Sequence, residues 1–157
     1  CYSSFVCHSF PYFIHCVLVP LQDHFLLLPH PTIAEVIPMP RIKATQHETN
    51  YHIGSYTWRE MTMPIIDLES MIENKMPQSD DANKLCILNG INLEAQVEFY
   101  ALPCYGSPQL ITLHESAIQA THDSDDSAFL HCQIKIGNKV AFIPHLDNIE
   151  NNLKQLS

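Results

Sequence analysis

Ile53-Gly-Ser-Tyr-Thr-Trp-Arg-Glu-Met-Thr-Met-Pro-Ile-Ile-Asp-Leu68 is the stretch from which the rest of the sequence is most readily understood. Met61, Met63 and Ile65 alternate, which places them on one face of a strand, and Pro64 within that strand predicts an edge position or a bulge. Asp67 follows where a helix cap belongs, and Leu68, Met71 and Ile72 then recur at helical spacing. Strand, cap and short helix thus follow one another closely.

Upstream, 13–19 (Phe-Ile-His-Cys-Val-Leu-Val) and 25–28 (Phe-Leu-Leu-Leu) are apolar, β-prone runs flanking Gln22-Asp23-His24, a hairpin pattern. Pro29 and Pro31 stop the second run, and the segment from Pro31 to Val36 suits a short helical turn before Val36-Ile37 extends again. A polar loop runs to about Tyr51. Lys84 to Asn89, Val97 to Leu102 and Leu110 to Leu113 read as further strands. Cys132, Ile134 and Ile136 alternate with Gln133 and Lys135, and Gly137-Asn138 suits a primed two-residue turn. Asp147 then reads as a cap for a helix carrying Ile149, Leu153 and Leu156. The pattern predicts a mainly β fold of about eight or nine short strands with two or three small helices.

The chain has 157 residues, enough for one core-forming domain. Eight Lys+Arg against 17 Asp+Glu give a net charge of −9, with no basic stripe, which excludes a nucleic-acid partner. Pro11, Pro20 and His15 interrupt the uncharged amino-terminal stretch, so no membrane-inserting segment is expected there.

Little in the sequence points to catalysis. Four glycines, at 54, 90, 106 and 137, make no phosphate-cradling loop and no nucleophile elbow. Ten histidines are dispersed without ligand spacing, and His15-Cys16 and His131-Cys132 are strand neighbours that point to opposite faces. Six cysteines show no two-residue spacing, so reduced thiols are expected. These observations predict no catalytic residue, no cofactor and no metal. A small metal-binding or hydrolytic β-barrel using His and Cys is the competing reading.

Residues 53–68 resemble the signature of CheW-like domains, in which a Gly precedes an Asn-Leu-Arg-Gly turn and a Pro-aliphatic-aliphatic-Asp-Leu strand. Gly54, Arg59, Pro64, Asp67 and Leu68 fall in register, and Ile33-Ala-Glu35-Val36 resembles the family's Val-x-Glu-Ile. Thr57 and Glu60 replace the Asn and Gly of the turn, and Leu102-Pro-Cys-Tyr-Gly replaces a Val-Asp of the second half. Those departures resemble the divergent ChpC type of type IV pilus twitching-motility systems.

The resemblance implies two SH3-like five-stranded β-barrel lobes, lobe 1 about 12–75 and lobe 2 about 84–145, with a carboxy-terminal helix at about 147–156; residues 1–11 stay unassigned. It implies a non-enzymatic, cytoplasmic scaffold between a methyl-accepting chemoreceptor and a CheA-type histidine kinase. Its protein-interaction residues would be Ile33, Glu35, Val36, Gly54, Trp58 and Arg59. Arg and aromatic side chains are favoured interface anchors; the alternative for Trp58 is a core plug between lobes. A barrel that draws the strands around Val36 and Met61 together would pair Glu35 with Arg59.

The Gly137-Asn138 turn yields a direct prediction. Replacing both residues by Val should lower stability by on the order of 1–3 kcal/mol, the range for strained backbone; an unchanged denaturation midpoint would rule the tight turn out.

Overall fold

The computed structural model describes residues 13–22, 24–41, 43–44, 51–73, 82–92, 94–114, 119–121, 129–136 and 139–154. In chain order these form β1 (Phe13–Pro20), β2 (Phe25–Pro29), a 3-10 turn (His30–Thr32), β3 (Ile33–Pro38), β4 (Lys43–Ala44), β5 (His52–Trp58) and β6 (Met61–Ile66). Helix α1 (Leu68–Glu73) leads to β7 (Lys84–Asn89), β8 (Phe99–Cys104) and β9 (Gln109–His114). The chain closes with β10 (Gln119–Thr121), β11 (Leu130–Ile136), β12 (Lys139–Pro144) and α2 (Leu146–Leu153). Residues 1–11, most of the 76–84 linker and the Gly137-Asn138 turn lie outside the described residues.

The fold is mainly β, as the sequence leads one to expect, with two sheets ordered β10-β11-β12-β2-β1-β9 and β3-β7-β8-β6-β5-β4. We call them the terminal and the central sheet. Each has six strands instead of five, because β10 and β4, three and two residues long, add a short strand at one end. Strand membership crosses the expected division between 75 and 84. The β1–β2 hairpin joins the carboxy-terminal strands, with β1 antiparallel to β9 and β2 parallel to β12, while β7 and β8 complete the central sheet. Pro64 corrects a second expectation. It lies in an interior strand, but β6 meets β8 through the single pair Ile65–Ala101, so a missing N–H interrupts little of that ladder.

Three apolar layers explain why the strands read as nearly continuous hydrophobic runs. Val17, Val19, Leu26, Leu28 and Phe142 of the terminal sheet pack with Ile66, Cys86, Leu88, Tyr100 and Leu102 of the central sheet in a shared core. The alternate residues turn the other way. Cys16, Leu18, Leu27, Ile134, Ala141 and Ile143 form the terminal sheet's own cluster. Met63, Ile65, Leu85, Ile87 and Ala101 form that of the central sheet. A strand covered on both faces needs apolar residues at every position.

The helices close the ends of the shared core. Asp67 caps α1, its Oδ1 accepting from the Ser70 amide at 3.1 Å, and Leu68, Met71 and Ile72 are buried in the shared core. In α2 the cap is His145 and not Asp147: His145 Nδ1 accepts from the Asn148 amide at 3.3 Å, and Asp147 stands in the first turn. His145 takes the role because the helix starts two residues earlier than the Asp-based pattern suggests.

Glu150 of α2 is fully buried. Its carboxylate accepts from the amides of Ile91 and Asn92 at 2.8–3.0 Å and from the Tyr100 hydroxyl at 3.0 Å. It therefore ties the helix to the β7–β8 connection. That connection leaves β7 at Gly90, where a Cβ would lie 1.7 Å from the Val97 carbonyl oxygen, so only glycine fits. Burial raises the Glu150 pKa above its ordinary value, and the three donors lower it only in part.

A raised folded-state pKa means stability that is present below the unfolded value and is lost as pH rises through the folded one. Wild type should therefore gain on Glu150→Gln as pH falls from neutral into the carboxylate range, measured as the difference between their denaturation midpoints. Glu150→Ala should cost on the order of 3 kcal/mol at neutral pH by orphaning the buried Tyr100 hydroxyl and the half-buried amides of Ile91 and Asn92.

Candidate functional site

Six residues were expected to form an interaction surface, and the fold sorts them into three places. Trp58 pairs with Met61 across the β5–β6 hairpin, leaving Arg59 and Glu60 as a two-residue turn. Both have positive φ, 50° and 67°, the left-handed conformation a primed hairpin turn demands and in which Asn-Gly is the usual solution. Arg59 Nη2 donates to Glu35 Oε1 at 3.1 Å, and its Cζ sits 4.5 Å from the centre of the Trp58 ring. Phe99 of β8 meets that ring edge-on, with centroids 5.1 Å apart at 71°. The guanidinium is thus fixed from two directions while the Arg59 side chain stays 72% exposed.

The expected Glu35–Arg59 pair forms although β7 and β8 stand between β3 and β6 in the sheet. A bulge in β3 contributes: Ile33 pairs with Leu88 and Glu35 with Ile87, so one extra residue lies between them. The same bulge puts Ile33 and Val36 on one face, against the shared core, and Ala34 and Ile37 on the other, against the central sheet's cluster. Ile33 and Val36 are half-buried and pack against the shared core.

Gly54 is not with the others. It is buried within β5, beside a second bulge between His52 and Gly54, and its carbonyl faces His52 Nε2 at 2.9 Å. Trp58 is no plug between the sheets either; it is half-buried against the central sheet's own cluster. Phe99 and the positive φ of Glu60 were not anticipated. The turn spacing could have suggested the latter, since the position resembles one where the family has Gly.

The CheW-like domain description matches residues 15–153 of this sequence. The chain belongs to the CheW-like family. The crystal structure of the scaffolding protein TtCheW from Thermoanaerobacter tengcongensis superposes with a TM-score of 0.67 at 20% identity, over 88% of each chain, which shows the shared fold. No curated protein matches the sequence. The CheW-like family consists of non-enzymatic scaffold and coupling proteins.

Two thiols of this CheW-like chain lie in surroundings that disfavour the thiolate. Burial pushes the Cys16 thiol up to about 12, far from the thiolate a nucleophile needs. A hydrogen bond with Cys86 and then burial raise the Cys104 thiol as well. Among the described residues no three His, Cys, Asp or Glu side chains converge as metal ligands, and no helix is long and apolar enough to cross a membrane.

The energetics of the CheW-like turn are unfavourable taken alone. Left-handed backbone costs an L-residue about 1–2 kcal/mol, here at two successive positions. An exposed ion pair returns about 0–1 kcal/mol, and a cation–π contact at the surface about 0.5–1. Strain therefore exceeds or at best matches the compensation. Glu60→Gly should raise the thermal midpoint by about 2–4 °C, equivalent to roughly 1 kcal/mol for a chain of this size; a fall would show that the Glu60 side chain stabilises the turn by contacts that outweigh its backbone strain.

Proposed function

We propose that this CheW-like protein is a cytoplasmic coupling scaffold that joins a methyl-accepting chemoreceptor to a CheA-type histidine kinase, and that it serves type IV pilus twitching motility. The observation that carries the reading is the exposed Arg59, oriented by Glu35 and Trp58 on a strained turn. Proteins that act by recognition need rigid exposed anchors, and Arg and Trp lead the residue types found at them. Ile33 and Val36, on the β3 face turned to the shared core, offer half-buried apolar surface apart from that turn. The twitching-motility assignment rests on the Thr57, Trp58 and Glu60 departures in the turn, which resemble the ChpC type.

Exposure separates function from stability here. Arg59→Ala should weaken binding to the receptor's cytoplasmic hairpin or to the kinase's regulatory domain by about tenfold or more, as loss of an interface anchor does. Its thermal midpoint should move by no more than about 2 °C, because exposed ion pairs contribute little. Glu35→Ala should act in the same direction with a smaller loss. Titration of both variants against both partners checks this, and wild-type affinity throughout would refute the site.

A further inference from the structure

The two-residue turn of the β5–β6 hairpin could be built without strain from Asn-Gly, yet it holds Arg59 and Glu60 at positive φ. Strain that persists at one exposed point is a reason to look for a role there. What this turn gains over an unstrained one is a guanidinium with a fixed pose. Glu35 takes one edge of it, the Trp58 ring lies under it, and Phe99 holds that ring edge-on. Without the ring, a single exposed hydrogen bond at 3.1 Å would remain to orient a long, flexible side chain.

We infer that Trp58 is a positioning residue: the face of its indole ring presets Arg59 for the partner, and its half-burial in the central sheet's cluster is secondary. The inference rests on the coupling role proposed above, and it concerns the attribute of Trp58 that matters, the π-face and not the apolar volume. A preset guanidinium avoids the ordering cost of its side chain when the partner arrives, so Trp58 acts on affinity through Arg59. Leu at this position would keep an apolar side chain, smaller than the indole and without a ring face, and leave Arg59 to wander; Phe, also smaller, would keep a ring beneath it.

Because Trp58 is the single tryptophan of the chain, the clamp can be read in the free protein. Removing the guanidinium in Arg59→Ala should increase acrylamide quenching of the fluorescence and shift its emission to the red, and Glu35→Gln should do so to a lesser degree. Emission and quenching identical to wild type in Arg59→Ala would overturn the clamp whatever the partner is. Binding is then measured on the full chain with two probes, a recombinant chemoreceptor cytoplasmic hairpin and a CheA-type kinase regulatory domain. Trp58→Leu should lose about tenfold in affinity and Trp58→Phe no more than about threefold, while Trp58→Leu combined with Arg59→Ala should bind no more weakly than Arg59→Ala alone, since coupled residues are non-additive. A role in packing alone would make Trp58→Phe and Trp58→Leu fall together with their thermal midpoints, and the two losses would add; either result refutes the inference. Failure of wild type to bind either probe would count against the coupling role, and the fluorescence result would then decide the clamp by itself.

Discussion

Leu26 and Leu28 project from β2 into the layer between the sheets while Leu27 projects the opposite way, and β7 does the same with Cys86 and Leu88 against Leu85 and Ile87. That two-sided burial is the constraint on which everything else depends. Each inner strand must satisfy two apolar layers at once, so a one-residue slip would exchange the two sets of side chains between layers of different shape. The register is therefore fixed along both sheets, and with it the position of every hairpin tip. The chain contributes β1 and β2 to the terminal sheet, builds the central sheet from the six consecutive strands β3 to β8, and returns at β9, so the terminal sheet closes only after the central one has been laid down between its two parts. The shared core is what makes them one domain.

This regularity runs out at two points of the central sheet that meet in space. The β3 bulge and the tip of the β5–β6 hairpin are irregular points of the central sheet, and they bring Glu35 to Arg59. The turn is rigid because its flanking strands are locked: β6 buries Met63 and Ile65, and Trp58 rests on Phe99 at the start of β8. A rigid scaffold with oriented exposed groups is the physical requirement for recognition without catalysis. On the opposite face of β8, where Tyr100 enters the shared core, Glu150 performs a different task. It accepts from three donors and holds α2 against the β7–β8 connection, a structural tie whose own side chain has no exposed surface.

Much of this was legible because local rules and the global fold agree. Asp67 capped the helix its spacing indicated, the β1–β2 hairpin followed from two apolar runs around a polar turn, and the alternation of Ile134 with Lys135 gave the faces of β11. Strand pairing between distant segments was not legible. Nothing in Phe25–Pro29 announces a parallel partner at Ala141 and Phe142, since strand partners are chosen by tertiary packing and not by composition. The bulge at Ala34-Glu35 was hidden because the segment from Pro31 to Val36 was expected to be a helical turn; the turn in fact ends at Thr32 and β3 begins at Ile33, where the β-branched Ile33 and Val36 extend along β7. His145 escaped notice as a cap because the neighbouring Asp147 is the commoner type. The Glu35–Arg59 pair was anticipated from its resemblance and its flanking strands, whereas the Trp58–Phe99 contact joins residues in strands whose neighbourhood only the fold supplies.

As a CheW-like protein, the chain is best understood as a rigid body whose exposed points are fixed by its core, and the central claim is that it bridges two partners without chemistry of its own. Co-sedimentation of a CheA-type kinase with receptor-bearing membrane vesicles, with and without this protein, tests that most directly. The account predicts that the kinase pellets with the vesicles in proportion to added protein, and that it does so much less with the Arg59→Ala variant. Equal sedimentation of the kinase in the presence and absence of the protein would contradict it.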